Sequence, residues 1–469
     1  MPTSRRAFLQ STTLFAAALP LVRLNLVGAE PPADRTIKQT APATGRGLLF
    51  DASDLPRIRA NAGDPRFAEF WQTQLQADVA ADTDFLENKI RFYAGLDLTV
   101  PPTMTARLEK EFREAIGIDY ALAVSSGTGA LEVAMAAAGI GPGDEVIVTA
   151  WSWIACFTAI VRVGARPVLA EINDTLNLDP AEIKRLTTPR TRAVLVIHYQ
   201  GVPAEMERIQ LEAHRRGLFV IEDCAQAIGS SYRGRKVGTW SDIATFSFQA
   251  NKTMTSGEGG MVVTRDGWLY ERAVRFHDLG NYRPYHAAIR PATGEAFAGE
   301  QFRMSELTAA VALAQLRKLE TLRAHCRALH ERITTRVASL HGLTLRRSPD
   351  PAGDFGFELY LFLADAAQAT AFREKLDARN VNCGQRTGTY PHYHRDYVKN
   401  GRAHAPSASP FRGLQPWPAP GYRAEDFPRT EELTRRFVAI PLGWLYTIDD
   451  ADHIADSIIT VHQELFLAL

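Results

Sequence analysis

The sequence predicts an α/β fold: a large, mostly parallel sheet of seven strands covered by helices on both faces, followed by a smaller α+β part. Three observations carry this. Seven short apolar, β-rich runs recur at residues 121–124, 146–149, 167–172, 193–199, 219–222, 243–248 and 260–264, separated by helical intervals. Several of them end on a small, hydroxyl-bearing or charged residue, at the edge where parallel sheets receive ligands. The 469 residues are 46% apolar and 23% charged, which supplies a large core and excludes a disordered or collagen-like chain.

The elements follow in order. Residues 1–29 open with Ser4-Arg5-Arg6-Ala7-Phe8-Leu9-Gln10, continue through a weakly apolar stretch and close on Val27-Gly28-Ala29. Adjacent arginines, a short apolar run and a small-residue cleavage site resemble a twin-arginine export signal, which implies a periplasmic destination. The run is too short to span a bilayer. Residues 30–100 read as a Pro/Ala/Thr/Gly-rich linker and then a helical extension, with Phe67, Phe70, Trp71 and Leu75 at helical spacing. Residues 101–320 hold the seven strands, and residues 321–469 form the smaller domain. A single long helix is expected over 305–339, bridging the two.

Lys+Arg and Asp+Glu both number 53, so no positive field draws the chain to nucleic acid or anionic lipid. Loss of residues 1–29 would remove Arg5, Arg6 and Arg23 and no acid, leaving 50 basic against 53 acidic residues. A small-molecule partner is expected. Cys156, Cys224, Cys326 and Cys383 lack C-x-x-C spacing, so they read as ordinary thiols, with no metal site or redox pair.

Four features at strand ends can carry chemistry. Ser125-Ser126-Gly127-Thr128-Gly129 joins a strand to an apolar helix, where exposed N–H groups and hydroxyls make a phosphate cradle; many such turns are small for steric reasons alone. Glu222-Asp223-Cys224-Ala225-Gln226 sets a carboxylate where a buried strand ends. That carboxylate could hold a protonated ring nitrogen or serve as a helix N-cap. Ser247-Phe248-Gln249-Ala250-Asn251-Lys252 leads into a Gly- and hydroxyl-rich loop. A lysine desolvated there could attack an aldehyde as a Schiff-base amine, although most loop lysines are merely solvated. Trp151-Ser152-Trp153 follows the second strand and offers either a flat ring for a planar cofactor or simple core packing.

Together and in this order, SGTGAL, EDCAQAIG and SFQANKTMTSGEGG make residues 103–320 similar to the DegT/DnrJ/EryC1/StrS sugar aminotransferases, which are fold-type-I pyridoxal-phosphate enzymes. The resemblance implies that Lys252 forms the Schiff base with pyridoxal 5'-phosphate and then moves protons as general acid/base. It also implies that Asp223 pairs with the pyridine nitrogen, Gln226 contacts the ring hydroxyl and Trp153 stacks on the ring. Gly127, Thr128 and Ser247 would hold the phosphate. Where the family usually reads Asn-Tyr-Arg-Met, this chain has Gln301-Phe302-Arg303-Met304. Gln301 would take the place of an amide that reaches the neighbouring subunit's cofactor phosphate, which implies a homodimer with active sites at the interface.

The activity so implied is amino transfer from an amino acid, glutamate or glutamine, to a keto or aldehyde sugar in amino-sugar or polysaccharide biosynthesis. Among family branches the chain is similar to the 8-amino-octulosonate and inosose aminotransferases. Residues 278–290 and 386–394 are the loops expected to choose the substrate, with Tyr390-Pro391-His392-Tyr393-His394 in sugar contact or plain packing. Two alternatives compete. A pyridoxamine-phosphate sugar dehydratase of the same fold would carry His where Lys252 stands. A non-catalytic binding or regulatory protein would have no use for Lys252, Asp223, Ser247 and Gln226 together.

Overall fold

A computed structural model describes residues 103–385, 391–404, 410 and 422–467. The predicted export signal and helical extension lie outside the described residues, as do most of the 386–394 loop.

The large sheet has seven strands: β1 (Tyr120–Val124), β2 (Glu145–Thr149), β3 (Arg166–Ala170), β4 (Thr191–Ile197), β5 (Phe219–Asp223), β6 (Ile243–Ser247) and β7 (Gly260–Thr264). Their spatial order is β1-β7-β6-β5-β4-β2-β3. The neighbours from β6 through β3 pair in parallel, and β7 runs antiparallel to both β1 and β6. The expected mostly parallel sheet is therefore present.

Its strands are apolar at nearly every position because both faces are covered. Alternation divides them cleanly. Val146 and Val148 of β2, with Ala193, Leu195 and Ile197 of β4, join one core, whereas Ile147, Val194 and Val196 join the core on the opposite face. The first core is closed by α2 (Gly127–Ala137), α3 (Ala155–Arg162) and α6 (Gly267–His277). On the other face lie α1 (Met104–Ile116), α4 (Pro180–Leu186) and α5 (Met206–His214), so the crossovers through α2 and α3 cover one face and those through α4 and α5 the other.

Beyond α6, a short helix α7 (Pro284–Ile289) precedes the bridge between the two parts. The single helix expected over 305–339 is in fact two, α8 (Glu306–Leu316) and α9 (Leu319–Val337). The break falls at Arg317 and Lys318, where Lys318 N donates to Gln315 O in a tightened turn. Ala309, Ala312 and Leu313 of α8 pack in the core that contains α1, whereas Leu329, Ile333 and Val337 of α9 pack in a separate core. Leu319 and Cys326 at the start of α9 still pack in the α1 core, so α9 itself runs from one core into the other. That second core is the smaller α+β part: β8 (Thr344–Leu345), β9 (Glu358–Phe362) and β10 (Phe437–Pro441) in antiparallel array, covered by α9, α10 (Ala366–Asp377) and α12 (Ile448–Phe466), with α11 (Pro428–Arg435) between.

Candidate active site

Parallel strands send their carboxyl ends to one edge of the sheet, and the four chemical features gather there. After β1, Ser126 caps α2: its Oγ accepts from Gly129 N at 3.0 Å, and its backbone O accepts from Ala130 N. The first turn of α2 lies beside the end of β6. The approach is close, because a Cβ on Gly127 would stand 2.5 Å from Ser247 Cβ and 2.7 Å from its Oγ, and one on Gly129 would meet the Phe302 ring at 2.7 Å. Thr128 is half-buried beside them and Ser247 is buried at the end of β6.

β5 ends on two carboxylates that alternation sends to opposite faces. Glu222, fully buried, accepts from Gly238, Trp240 and Ser241 N–H groups and pairs with His198 Nε2 at 2.9 Å. Burial alone would raise its pKa, but these donors hold it below the usual carboxylate range. His198, Glu222 and Cys224 bring ligand-type atoms together, yet the Glu222 oxygens are saturated by hydrogen bonds and His198 Nδ1 accepts from Ala204 N. This is a structural knot. Asp223 faces the other way, only 5% exposed, with Oδ1 accepting from Ala225 N at 2.9 Å and Oδ2 from the Cys156 thiol at 3.0 Å.

All four cysteines are free thiols, as expected, and Cys156 adds a role as hydrogen-bond donor to Asp223. Burial and the Asp223 charge push its thiol well above the ordinary range, so it remains a protonated donor. No spacing rule in the sequence signals it, since it depends on α3 lying across the end of β5.

Lys252 is half-buried close enough to Asp223 and Cys156 to feel both. Desolvation lowers its ammonium pKa, and the two acidic neighbours only partly oppose that. Gln226 Oε1 accepts from Gln200 N, where the chain adopts a left-handed φ of 49°, so its NH2 group is the end left to donate. The two tryptophans separate: Trp151 is 1% exposed in the core, and Trp153 is 52% exposed, a flat ring presented outward instead of packed.

Gln301 is exposed at the segment that runs beside the cradle, where Ser125 N donates to Phe302 O at 2.7 Å. Arg303 and Arg283 pair with Asp278 and, against its burial, hold that carboxyl below its usual range. Of the residues 390–394, Tyr390 lies outside the described residues. His392 and Tyr393 are fully buried, which makes them packing residues and not open sugar contacts.

These residues fit pyridoxal phosphate on their own geometry. A cradle that any Cβ would fill, a buried carboxylate, a desolvated amine and an exposed flat aromatic suit a planar, phosphate-bearing pyridinium with an aldehyde.

The DegT/DnrJ/EryC1/StrS aminotransferase family matches residues 97–459. GDP-perosamine synthase of Escherichia coli O157:H7 is 44% identical over 218 residues, 46% of this chain and 57% of that protein. The dTDP-3-amino-3,4,6-trideoxy-alpha-D-glucose transaminase of Streptomyces venezuelae is 35% identical over 337 residues, 71% of this chain and 81% of that one. The crystal structure of S. venezuelae DesV in complex with a ketimine intermediate superimposes with a TM-score of 0.65 at 29% identity, covering 82% of this chain and 96% of that one. The family match over most of the chain, with the shared fold, means that the protein belongs to the DegT/DnrJ/EryC1/StrS aminotransferase family and is a transaminase in class.

Proposed function

We propose that the protein transfers an amino group from an amino acid, glutamate or glutamine, to a keto or aldehyde carbon of a sugar in amino-sugar or polysaccharide biosynthesis, with Lys252 as its catalytic residue. The convergence of Lys252 and Asp223 at one strand edge carries this reading, supported by the relatives that act on GDP- and dTDP-linked sugars. When bound, pyridoxal phosphate supplies an electron sink and an aldehyde carbon.

The chain's own residues do the rest. Gly127, Thr128 and Ser247 bind the phosphate through the N-terminus of α2. Asp223 would hold the ring-nitrogen proton, and Gln226 would donate to the ring hydroxyl. Trp153 covers one face of the ring and excludes water from it. Lys252 Nζ, its ammonium pKa lowered by desolvation, would make the covalent attachment to the aldehyde carbon. Once free of that attachment, Nζ would be the group that takes up and returns a proton at the reacting carbon. The second half-reaction runs the same proton path backwards with the sugar carbonyl, so each amino group gained by the sugar is one lost by the donor.

The protein acts as a homodimer in this reading. Gln301 stands exposed, and Leu307 and Val311 on the adjoining α8 are 66% and 48% exposed, an apolar face suited to a second copy. Residues 101–320 serve as the cofactor-binding domain and 321–469 as the smaller domain. Among the described residues no helix is long and apolar enough to cross a membrane. Residues 1–29 direct export, and fractionation of wild type against Arg5→Lys/Arg6→Lys tests this; equal cytoplasmic retention of both overturns it.

The function is tested by an absorbance spectrum of the purified chain supplied with pyridoxal phosphate, before and after glutamate or glutamine. A visible band that bleaches with the donor is expected. A chain that stays colourless overturns the proposal.

A further inference from the structure

Trp153 is more than half exposed, so packing does little to fix where its indole points, and the turn that joins β2 to α3 must aim it. The turn has little local fastening: α3 opens at Ile154 with no side-chain cap, unlike α2 with Ser126. It is gripped instead by residues 391–394, 240 positions away. Trp151 and Pro391 form an isolated antiparallel bridge, and His392 N donates to Ala150 O at 2.9 Å. The His392 ring sets Nε2 at 2.9 Å from Ser152 Oγ, and Ser152 Oγ donates to Trp153 O at 3.3 Å. That carbonyl also accepts from Cys156 N at 3.2 Å, in the first turn of α3. His392 Nδ1 is buried with no hydrogen-bond partner among the described residues. A bare lone pair is cheaper to bury than an unpaired N–H, so the proton belongs on Nε2, which donates to Ser152. Burial, with Arg395 nearby, pushes the ring down to about 3 and keeps it neutral. Both bonds therefore run one way, from His392 through Ser152 to the Trp153 carbonyl. Apolar side chains would fill this space without the cost of burying an imidazole and a hydroxyl, but they would leave the turn without these directional bonds.

We propose that His392 and Ser152 are positioning residues that clamp the turn between β2 and α3 and thereby aim the Trp153 ring at the face of bound pyridoxal phosphate. The proposal rests on the reading of Trp153 given above. The clamp grips backbone on both sides of Trp151, at Ala150 O and Trp153 O, and Trp151 itself is held by its burial in the core. With the turn fixed, the indole needs no packing partner of its own to stay in place until the cofactor ring arrives, and less freedom is lost when the two stack. The clamp reaches the cofactor only through Trp153, so its effect appears in cofactor binding and ring orientation.

The experiment is a double-mutant cycle on the full chain, read by the pyridoxal phosphate dissociation constant and by the circular dichroism of the bound cofactor's visible band, with thermal unfolding of each variant. Trp153→Ala removes the stacking ring, and the dissociation constant should rise about threefold to tenfold. His392→Leu should raise it in the same direction and shift the dichroism, whereas His392→Gln, which keeps an N–H donor, should return both toward wild type. In the Trp153→Ala background, His392→Leu should add nothing further, because a clamp on Trp153 has no other route to the cofactor. Ser152→Ala, which cuts the bond to Trp153 O, should repeat the pattern, and it decides the matter if His392→Leu does not fold. Effects that add fully in the double variants, or His392 and Ser152 variants that bind as wild type does while Trp153→Ala does not, overturn the clamp and leave Trp153 in its role. A Trp153→Ala chain with unchanged affinity and dichroism overturns the reading of Trp153 itself, and the clamp with it.

Discussion

Gly127 and Ser247 touch backbone to side chain across the top of the sheet, so closely that a methyl group on Gly127 would sit 2.5 Å from Ser247 Cβ. They belong to the ends of β1 and β6, between which only β7 intervenes. Gly127→Ala must push the first turn of α2 away from β6. Overpacking of this kind costs about 1–3 kcal/mol. Pyridoxal phosphate affinity should fall by about tenfold or more while the unfolding transition remains cooperative. Fluorescence titration with the cofactor measures it, and unchanged affinity would separate the cradle from phosphate binding.

Lys252→Ala removes the only amine that the site proposed here uses to carry the covalent link. Turnover should be lost, with the fold and the oligomeric state retained, because Lys252 is half-buried and supports no core cluster. Borohydride reduction should fix pyridoxal phosphate to the wild-type chain and not to the variant. A fully active Lys252→Ala protein would remove the mechanism.

Asp223→Asn preserves the shape of the carboxylate and its acceptor toward Ala225 N, and loses the charge. Preorganised charge at a reacting centre commonly contributes 10²–10³ in rate, so a drop on the order of 10²-fold is expected in single-turnover reaction with the amino donor. A change under about threefold would mean that Asp223 serves only as a cap.

Glu109 on α1 is 2% exposed, accepting from Ala123 N and from the hydroxyl of Tyr285 on α7. Burial raises its pKa to about 7. A carboxyl raised in the folded state adds stability when protonated, at or below pH 4.5, and loses that advantage as pH rises through 7. Glu109→Gln keeps one acceptor and cannot ionise. Its Tm should exceed wild type by a few degrees at pH 8 and match it near pH 4.5. A Tm difference independent of pH would exclude the Glu109 charge as its cause.

The sheet was legible because apolar runs of five or so residues between helical intervals are a local signal, and each predicted run overlaps its strand. The helix over 305–339 was misjudged because both halves are helical in pattern. What separates them is a local turn at Arg317 and Lys318, which an apolar periodicity continuing on both sides of it does not reveal. The ambiguity between Trp151 and Trp153 is of the same kind: adjacent aromatics read alike until the chain's turn at the end of β2 sends one inward and the other out.

The sequence by itself determined the order of the elements, the identity of the chemical groups and the family to which their spacing points, because each motif lies within a short run of consecutive residues. Tertiary structure alone decided which of those groups meet and in what state. The parallel sheet gathers Gly127, Asp223 and Ser247 at one edge. Packing of α3 over β5 brings Cys156 to 3.0 Å from Asp223, and residues 391–394 carry His392 to Ser152 across 240 positions of chain. Desolvation and hydrogen-bond direction depend on every atom that surrounds a group, and those atoms come from strands and helices that are remote in sequence.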